Sequence, residues 1–129
     1  MMQEKLIEQQ KHFINLRLGT FIHFNSATFQ FNHGPVEDWE YGCENFGEPR
    51  KYPFSPKDWN PAALDCKSWA KAAKAAGCRF AALTTKHHEG FALWPSAYTE
   101  HCVKNGAVKT DVVAEYLKAF RAEGIEAGL

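Results

Sequence analysis

DCKSWAKAAKAAGCRFAALTT, residues 65 to 85, joins the pattern of an amphipathic helix directly to that of a buried strand. The helical part has Asp65 as a candidate N-cap and Gly77 just past its end. The strand, Arg79 to Thr85, is nearly continuous in small and apolar residues, as in a parallel strand covered on both faces. The stretch therefore predicts an α/β fold with a parallel sheet. The less polar residues of the helix recur at steps of three and four and are Cys66, Trp69, Ala70, Ala73 and Ala76.

The same order of elements continues on both sides of this stretch. Upstream, LGTFIHF (residues 18 to 24) predicts a first strand. Downstream, residues 111 to 123 predict a second helix, with Val113, Leu117 and Phe120 on one face and Gly124 as its stop. Residues 125 to 129 begin a third strand. This alternation is typical of parallel α/β architecture.

Long segments, residues 25 to 62 and 86 to 110, follow the first two predicted strands, whereas the helix-to-strand connections are short. In a (β/α)8 barrel the loops after the strands form the active face. We therefore predict the N-terminal portion of a (β/α)8 TIM-like barrel, with a leader helix at residues 1–16 and barrel elements at 17–129. Because so few strands cannot close a barrel, we expect a longer protein. A doubly wound sheet is the alternative, but no GxGxxG or GxxxxGK[ST] follows a strand.

Charge and hydropathy exclude several classes of partner. Lys plus Arg and Asp plus Glu number 15 each, which leaves no summed charge to attract nucleic acid or an anionic membrane surface. No stretch approaches the roughly 20 apolar residues of a membrane helix, and the first twenty residues lack the apolar core of a signal peptide. We expect a neutral ligand, with either a cytoplasmic location or a processed secreted or periplasmic form. A homo-oligomer is compatible with the sequence.

The four cysteines, Cys43, Cys66, Cys78 and Cys102, lie in unrelated contexts without CxxC spacing. We predict reduced thiols, and neither a disulfide nor a cysteine-based metal site.

Histidines mark the ends of the first two predicted strands: His23 after the first, and His87 with His88 after the second. A neutral imidazole both donates and accepts hydrogen bonds, which suits sugar hydroxyls. A structural hydrogen-bonding role is the alternative. A metal site with Glu89 as a further ligand is another, but adjacent histidines point to opposite sides of an extended chain and no HxH or HExxH occurs. We expect no metal and no cofactor.

Aromatic and acidic residues crowd the two long segments. Aromatic rings pack against the C–H faces of sugars, although most of these rings are expected to attach the loops to the rest of the domain. Trp39 and Trp94, beside polar or turn residues, are the preferred ligand contacts. A retaining glycosidase needs two carboxyl groups about 5 to 5.5 Å apart. Sequence cannot measure that separation, so no loop acid is assigned as the nucleophile.

These residues resemble the α-L-fucosidases of glycoside hydrolase family 29. The resemblance rests on GTFIHF (residues 19 to 24) and above all on LTTKHHEGFALWPSAYT (residues 83 to 99), and it extends from about residue 17 to residue 129. It implies a (β/α)8-like catalytic domain, usually followed by a β-sandwich, that removes terminal α-L-fucose from fucosylated glycans with retention of configuration.

By position, the resemblance implies that His23, His87 and His88 bind fucose hydroxyls and that Trp39 lines the same pocket. Either Asp38 or Glu40 matches the acid that accompanies this tryptophan in the family. The nucleophile and the acid/base would lie beyond Leu129. Where the family has His-Trp-Gly and KHHDGF, this chain has His23-Phe24-Asn25 and KHHEGF. The alternatives are a sugar-binding barrel without catalysis and a metal-dependent barrel hydrolase.

Overall fold

The computed structural model describes residues 2–25, 28, 55–87 and 90–129. These residues form helices α1 (Met2–Leu16), α2 (Cys66–Ala75) and α3 (Val112–Ala122), and strands β1 (Gly19–Ile22), β2 (Phe80–Leu83) and β3 (Glu126–Gly128). Two short 3-10 helices, Pro56–Asp58 and Val103–Asn105, lie in the segments predicted as loops. Helix α1 lies in the predicted leader, and both later helices and all three strands agree with their predicted bounds within one or two residues at each end.

The strands form a parallel sheet in the order β1-β2-β3. Gly19 pairs with Phe80 at one end of the β1-β2 ladder, and Ile22 pairs with Leu83 at the other. Phe80 pairs in turn with Glu126 of β3. The α/β class with a parallel sheet is confirmed, and β1 and β2 are each shorter than predicted because only four residue pairs join them.

Helices α2 and α3 end in the same way. Gly77 and Gly124 both have a positive φ, 85° and 69°. Beyond each glycine, the next amide donates to a carbonyl five residues earlier: Cys78 to Ala73 at 2.9 Å, and Ile125 to Phe120 at 3.0 Å. This is the hydrogen bond of a Schellman motif, and it needs a left-handed residue that only glycine adopts without cost. The predicted stop signals are confirmed, and each one turns the chain into the strand that follows.

The buried faces of the two helices differ in part from the predicted ones. In α2 the buried residues are Cys66, Ala70 and Ala73, whereas Trp69 is half-buried and Ala76 is exposed. In α3 the buried stripe is shifted, because Val113 and Leu117 are only half-buried. Tyr116, which the predicted face did not include, is fully buried, and its ring packs on Phe120 with centroids 4.5 Å apart. The fully or largely buried residues of α3 are Val112, Tyr116, Ala119 and Phe120.

The Asp65 carboxylate caps the start of α2. It accepts hydrogen bonds from the backbone N–H groups of Lys67 and Ser68 at 3.0 Å and from the Ser68 hydroxyl at 2.6 Å. The Ser68 hydroxyl and then the Ser68 amide are the main causes that lower the pKa of Asp65 below its ordinary value of 3.8. The predicted N-cap is confirmed, and it is an ionised one.

This cap predicts a pH-dependent contribution to stability. Because the folded-state pKa is depressed, the stabilisation by Asp65 is fully present above the ordinary pKa and is lost as pH falls through the folded-state pKa. An Asp65→Asn variant keeps a capping oxygen but does not titrate. In urea unfolding from about pH 6 to about pH 2, we expect the stability advantage of the wild type over this variant to be constant at first and then to shrink. A pH-independent difference would show that the cap does not ionise.

Side chains alternate between the two faces of the sheet. On β2, Ala81 and Leu83 are each 1% exposed, whereas Phe80 and Ala82 on the other face are half-buried. By register Gly19 and Phe21 share this second face, where Phe21 is 72% exposed. Leader helix α1 also approaches here, because Phe13 packs on Phe80 with ring centroids 5.1 Å apart.

Gly19 lies under the Phe80 ring. A Cβ at residue 19 would come within 2.3 Å of that ring, whereas a Cβ at Gly128 on β3 would come no closer than 3.5 Å to any atom. We therefore expect Gly19→Ala to lower the free energy of unfolding by about 1 to 3 kcal/mol through overpacking. Gly128→Ala is the matched control and should cost under about 1 kcal/mol. Equal losses in urea unfolding would contradict the close packing of Phe80 on Gly19.

The chain divides into two compact units. The sheet unit comprises residues 1–22, 65–83 and 116–129, and the loop unit comprises residues 23–64 and 84–115. Among the residues described, none of the helices has the length and apolar character needed to cross a membrane. Cys66, Cys78 and Cys102 are buried free thiols, as predicted, while Cys43 lies outside the described residues.

Candidate functional site

The two described candidate histidines lie side by side in the loop unit. His23 directly follows β1, and His87 comes four residues after Leu83, the last residue of β2. Their ring centroids are 5.5 Å apart, and the rings meet edge to face at 77°. Neighbouring parallel strands end at the same sheet edge, which is why residues 64 positions apart in sequence meet here.

Thr84 lies beside the same pair. Continuing the β1-β2 register by one residue beyond Ile22 and Leu83 brings His23 opposite Thr84. The Thr84 Oγ1 lies 3.5 Å from Nδ1 of His23. The His23 side chain is exposed, while Thr84 and His87 are half-buried and Nδ1 of His87 is buried. The sequence did not single out Thr84, because only the strand register shows that it faces His23.

An aromatic cluster supports the loop unit. Trp59 is fully buried, with its ring centroid 5.4 Å from that of Phe24 and 5.0 Å from that of Phe91. Phe91 packs in turn on His101 at 5.3 Å. Phe24 follows His23 directly in sequence and Phe91 is four residues after His87, so the cluster packs together residues close in sequence to both histidines. Trp59 was missed because residues 25 to 62 have no periodicity, and an isolated loop tryptophan gives no sign of being buried.

Trp94 begins a loop that is fixed by hydrogen bonds. The Lys104 ammonium donates to the backbone carbonyl of Ser96 at 3.1 Å and to the Glu100 carboxylate at 2.9 Å. Asn105 donates to the same carboxylate at 2.8 Å. The bonds from Lys104 and then Asn105 lower the pKa of Glu100, and the bond to Glu100 raises the pKa of Lys104. Trp94 itself is half-buried.

Asn25 stands where the resemblance expects a glycine. It is buried, with 6% of its surface exposed, and its backbone N–H donates to Oγ1 of Thr28 at 3.4 Å. The Thr28 amide donates back to the Asn25 carbonyl at 3.1 Å. Both bonds use the backbone of Asn25, so they do not depend on its side chain.

The other candidates lie outside the described residues. Within the described ranges, no group of three or more His, Cys, Asp or Glu side chains is placed to hold a metal ion. His88 and Glu89, two of the ligands considered for such a site, are not among those residues. The same holds for the remaining candidate ligand contacts, Asp38, Trp39 and Glu40.

With this geometry established, comparison with known proteins identifies the family. The model of the family described as alpha-L-fucosidase matches residues 2–129. Alpha-L-fucosidase 1 of Arabidopsis thaliana is 36% identical over 115 residues, which are 87% of this chain and 20% of that protein. The chain thus spans about a fifth of the length of this relative.

Solved structures agree with the sequence comparison. A glycoside hydrolase 29 family member from an unknown rumen bacterium is 39% identical with a TM-score of 0.74, covering 93% of this chain and 20% of its own. An α-L-fucosidase GH29 of Bacteroides thetaiotaomicron, trapped as a covalent intermediate with 2-fluoro-fucosyl fluoride, is 34% identical with a TM-score of 0.68. That match covers 89% of this chain and 28% of the Bacteroides one. On the family match and these relatives, the chain belongs to the α-L-fucosidase family.

Proposed function

We propose that the full-length protein is a retaining exo-α-L-fucosidase and that this chain supplies residues that bind the fucose hydroxyls. The observation that carries the proposal is the pair of imidazoles, His23 and His87, at the ends of neighbouring parallel strands in a member of this family. Neutral imidazoles present both a donor and an acceptor, as alternating sugar hydroxyls require.

The proposal places these strands in a (β/α)8 barrel. Support comes from the regular strand-helix-strand order. It also comes from Phe21, whose side chain is 72% exposed in a sheet of only three strands. In a closed barrel one face of each strand points to the axis, where side chains from several strands fill the interior. Phe21 would be buried there, and His23, two residues further along, would reach the active face.

The rest of the sugar site is proposed from sequence position. His88, Trp39 and one of the acids Asp38 and Glu40 would complete the fucose pocket, and the half-buried Trp94 would contact the ligand. We propose no metal and no cofactor. A fucosylated oligosaccharide or glycoconjugate is the substrate class that fits histidines, tryptophans and one acid placed to bind sugar hydroxyls.

Retention requires a covalent glycosyl-enzyme intermediate formed by one carboxylate, while a second acts as acid and then as base. The Bacteroides relative, which has been trapped as a covalent intermediate, supports this mechanism here. Neither carboxylate is assigned within residues 1–129, and both are proposed to lie in other parts of the full-length protein. The 129-residue chain alone should therefore hydrolyse nothing.

The test is an assay of the full-length protein on an aryl α-L-fucoside. We expect release of the aryl group, with α-L-fucose as the first anomer seen by NMR, and no loss of activity with a chelator. Binding of L-fucose without hydrolysis would instead support a sugar-binding barrel, and loss of activity with the chelator would support a metal-dependent hydrolase. Release of aryl groups from other glycosides but not from the fucoside would defeat the fucose assignment.

A further inference from the structure

We propose that Thr84 is a positioning residue for His23, holding Nδ1 of the imidazole so that Nε2 faces the ligand. The inference rests on the proposed function, because it assigns a sugar contact to His23.

Strand pairing places Thr84 beside the His23 ring. Thr84 Oγ1 lies 3.5 Å from Nδ1 of His23, somewhat longer than the roughly 2.7 to 3.2 Å of an ordinary hydrogen bond. Catalytic and binding hydrogen bonds are often long without ligand and tighten when the ligand is bound. The two residues are the next pair in the β1-β2 register, and paired residues of parallel strands project to the same face. The contact is therefore set by strand pairing and not by a chance loop conformation.

A second neighbour restrains the same ring. His87 meets His23 edge to face at 77°, so the His23 imidazole is restrained both by Thr84 at Nδ1 and by a ring at 5.5 Å. His23 is otherwise exposed. A threonine hydroxyl can donate to a bare nitrogen or accept from an N–H, and either bond fixes the ring orientation. With Nδ1 engaged, Nε2 is the ring nitrogen left for a sugar hydroxyl.

A pair of substitutions in the full-length protein separates the hydroxyl from the shape of the side chain. Thr84→Val keeps the branched shape and removes the hydroxyl, whereas Thr84→Ser keeps the hydroxyl and removes a methyl group. Loss of one neutral hydrogen bond should lower L-fucose affinity and kcat/KM for an aryl α-L-fucoside about fivefold in the valine variant. The serine variant should stay within about twofold of wild type.

The nitrogen NMR shifts of the His23 ring provide a readout that does not depend on turnover. We expect the Nδ1 shift to move in Thr84→Val and to return toward its wild-type value in Thr84→Ser. Unchanged shifts and affinity in the valine variant, or equal losses in both variants, would overturn the positioning role. If the wild type neither binds nor cleaves fucosides, the proposed function fails, and the sugar contact of His23 fails with it. The shifts would still decide whether Thr84 holds the ring.

Discussion

His87→Ala in the full-length protein is expected to lower kcat/KM for an aryl α-L-fucoside by about 100- to 1,000-fold. Removal of one preorganised hydrogen-bonding group from a site of this kind has an effect of that size. Two features of His87 support it: the ring is half-buried, and its edge-to-face contact with His23 fixes its orientation. A steady-state assay over a range of substrate concentrations measures the loss.

His12→Ala is the matched control, because it makes the same substitution on α1 in the sheet unit. His12 is exposed and contacts Glu126 of β3. We expect this variant to stay within about twofold of wild type, since a contact between two exposed side chains contributes little to stability. A similar fall in both variants, or activity of His87→Ala within threefold of wild type, would contradict a sugar-binding role for His87.

Trp59→Ala should lower the free energy of unfolding by about 3 to 5 kcal/mol, the range for truncation of a buried tryptophan. The indole is fully buried, and its ring contacts Phe24 and Phe91. Packing around it is tight, because a Cβ at Gly106 would come within 2.8 Å of the indole. The backbone carbonyl of Trp59 also accepts a hydrogen bond from the amide of Ala107 at 3.0 Å. Urea unfolding measures the change.

Tyr98→Ala is the control for this prediction. Tyr98 belongs to the same unit but is 99% exposed, so its loss should change the free energy of unfolding by no more than about 0.5 kcal/mol. If Trp59→Ala costs less than about 1 kcal/mol, Trp59 is not the centre of the loop unit. Because Phe24 follows His23 directly, we also expect the tryptophan variant to bind L-fucose more weakly than the tyrosine variant.

The parts of the fold that were predictable are those set by local chemistry. Asp65 caps α2 through amides two and three residues away, and Gly77 and Gly124 act within five residues. Such interactions depend on neighbouring sequence alone, so a short pattern is sufficient. The small and apolar run at β2 likewise predicted a strand covered on both faces, although one face proved half-buried.

What was missed depends on long-range packing. The buried face of α3 includes Tyr116, whose burial raises its pKa to about 12, and the predicted face of Val113, Leu117 and Phe120 left it out. Trp59 and Gly106 meet across 47 positions of chain without a pattern. Thr84 and His23 are neighbours only because β1 and β2 pair in one register. Register is a property of two strands together, and neither strand shows it alone.

Part of the candidate site was also predictable from the sequence. His23 and His87 were selected because strand ends meet at one edge of a parallel sheet, and the structure places their rings in contact. The roles of His88, Trp39, Asp38 and Glu40 remain predictions, since these residues lie outside the described part of the chain. Trp94 is described, and its role as a ligand contact also remains a prediction.

The central claim is that His23 and His87 together bind fucose hydroxyls. A crystal structure of the full-length protein with L-fucose tests it most directly. We predict a fucose hydroxyl oxygen within about 2.6 to 3.2 Å of Nε2 of His23 and another within the same distance of a His87 ring nitrogen. Fucose bound elsewhere, with both imidazoles left in solvent, would contradict the claim.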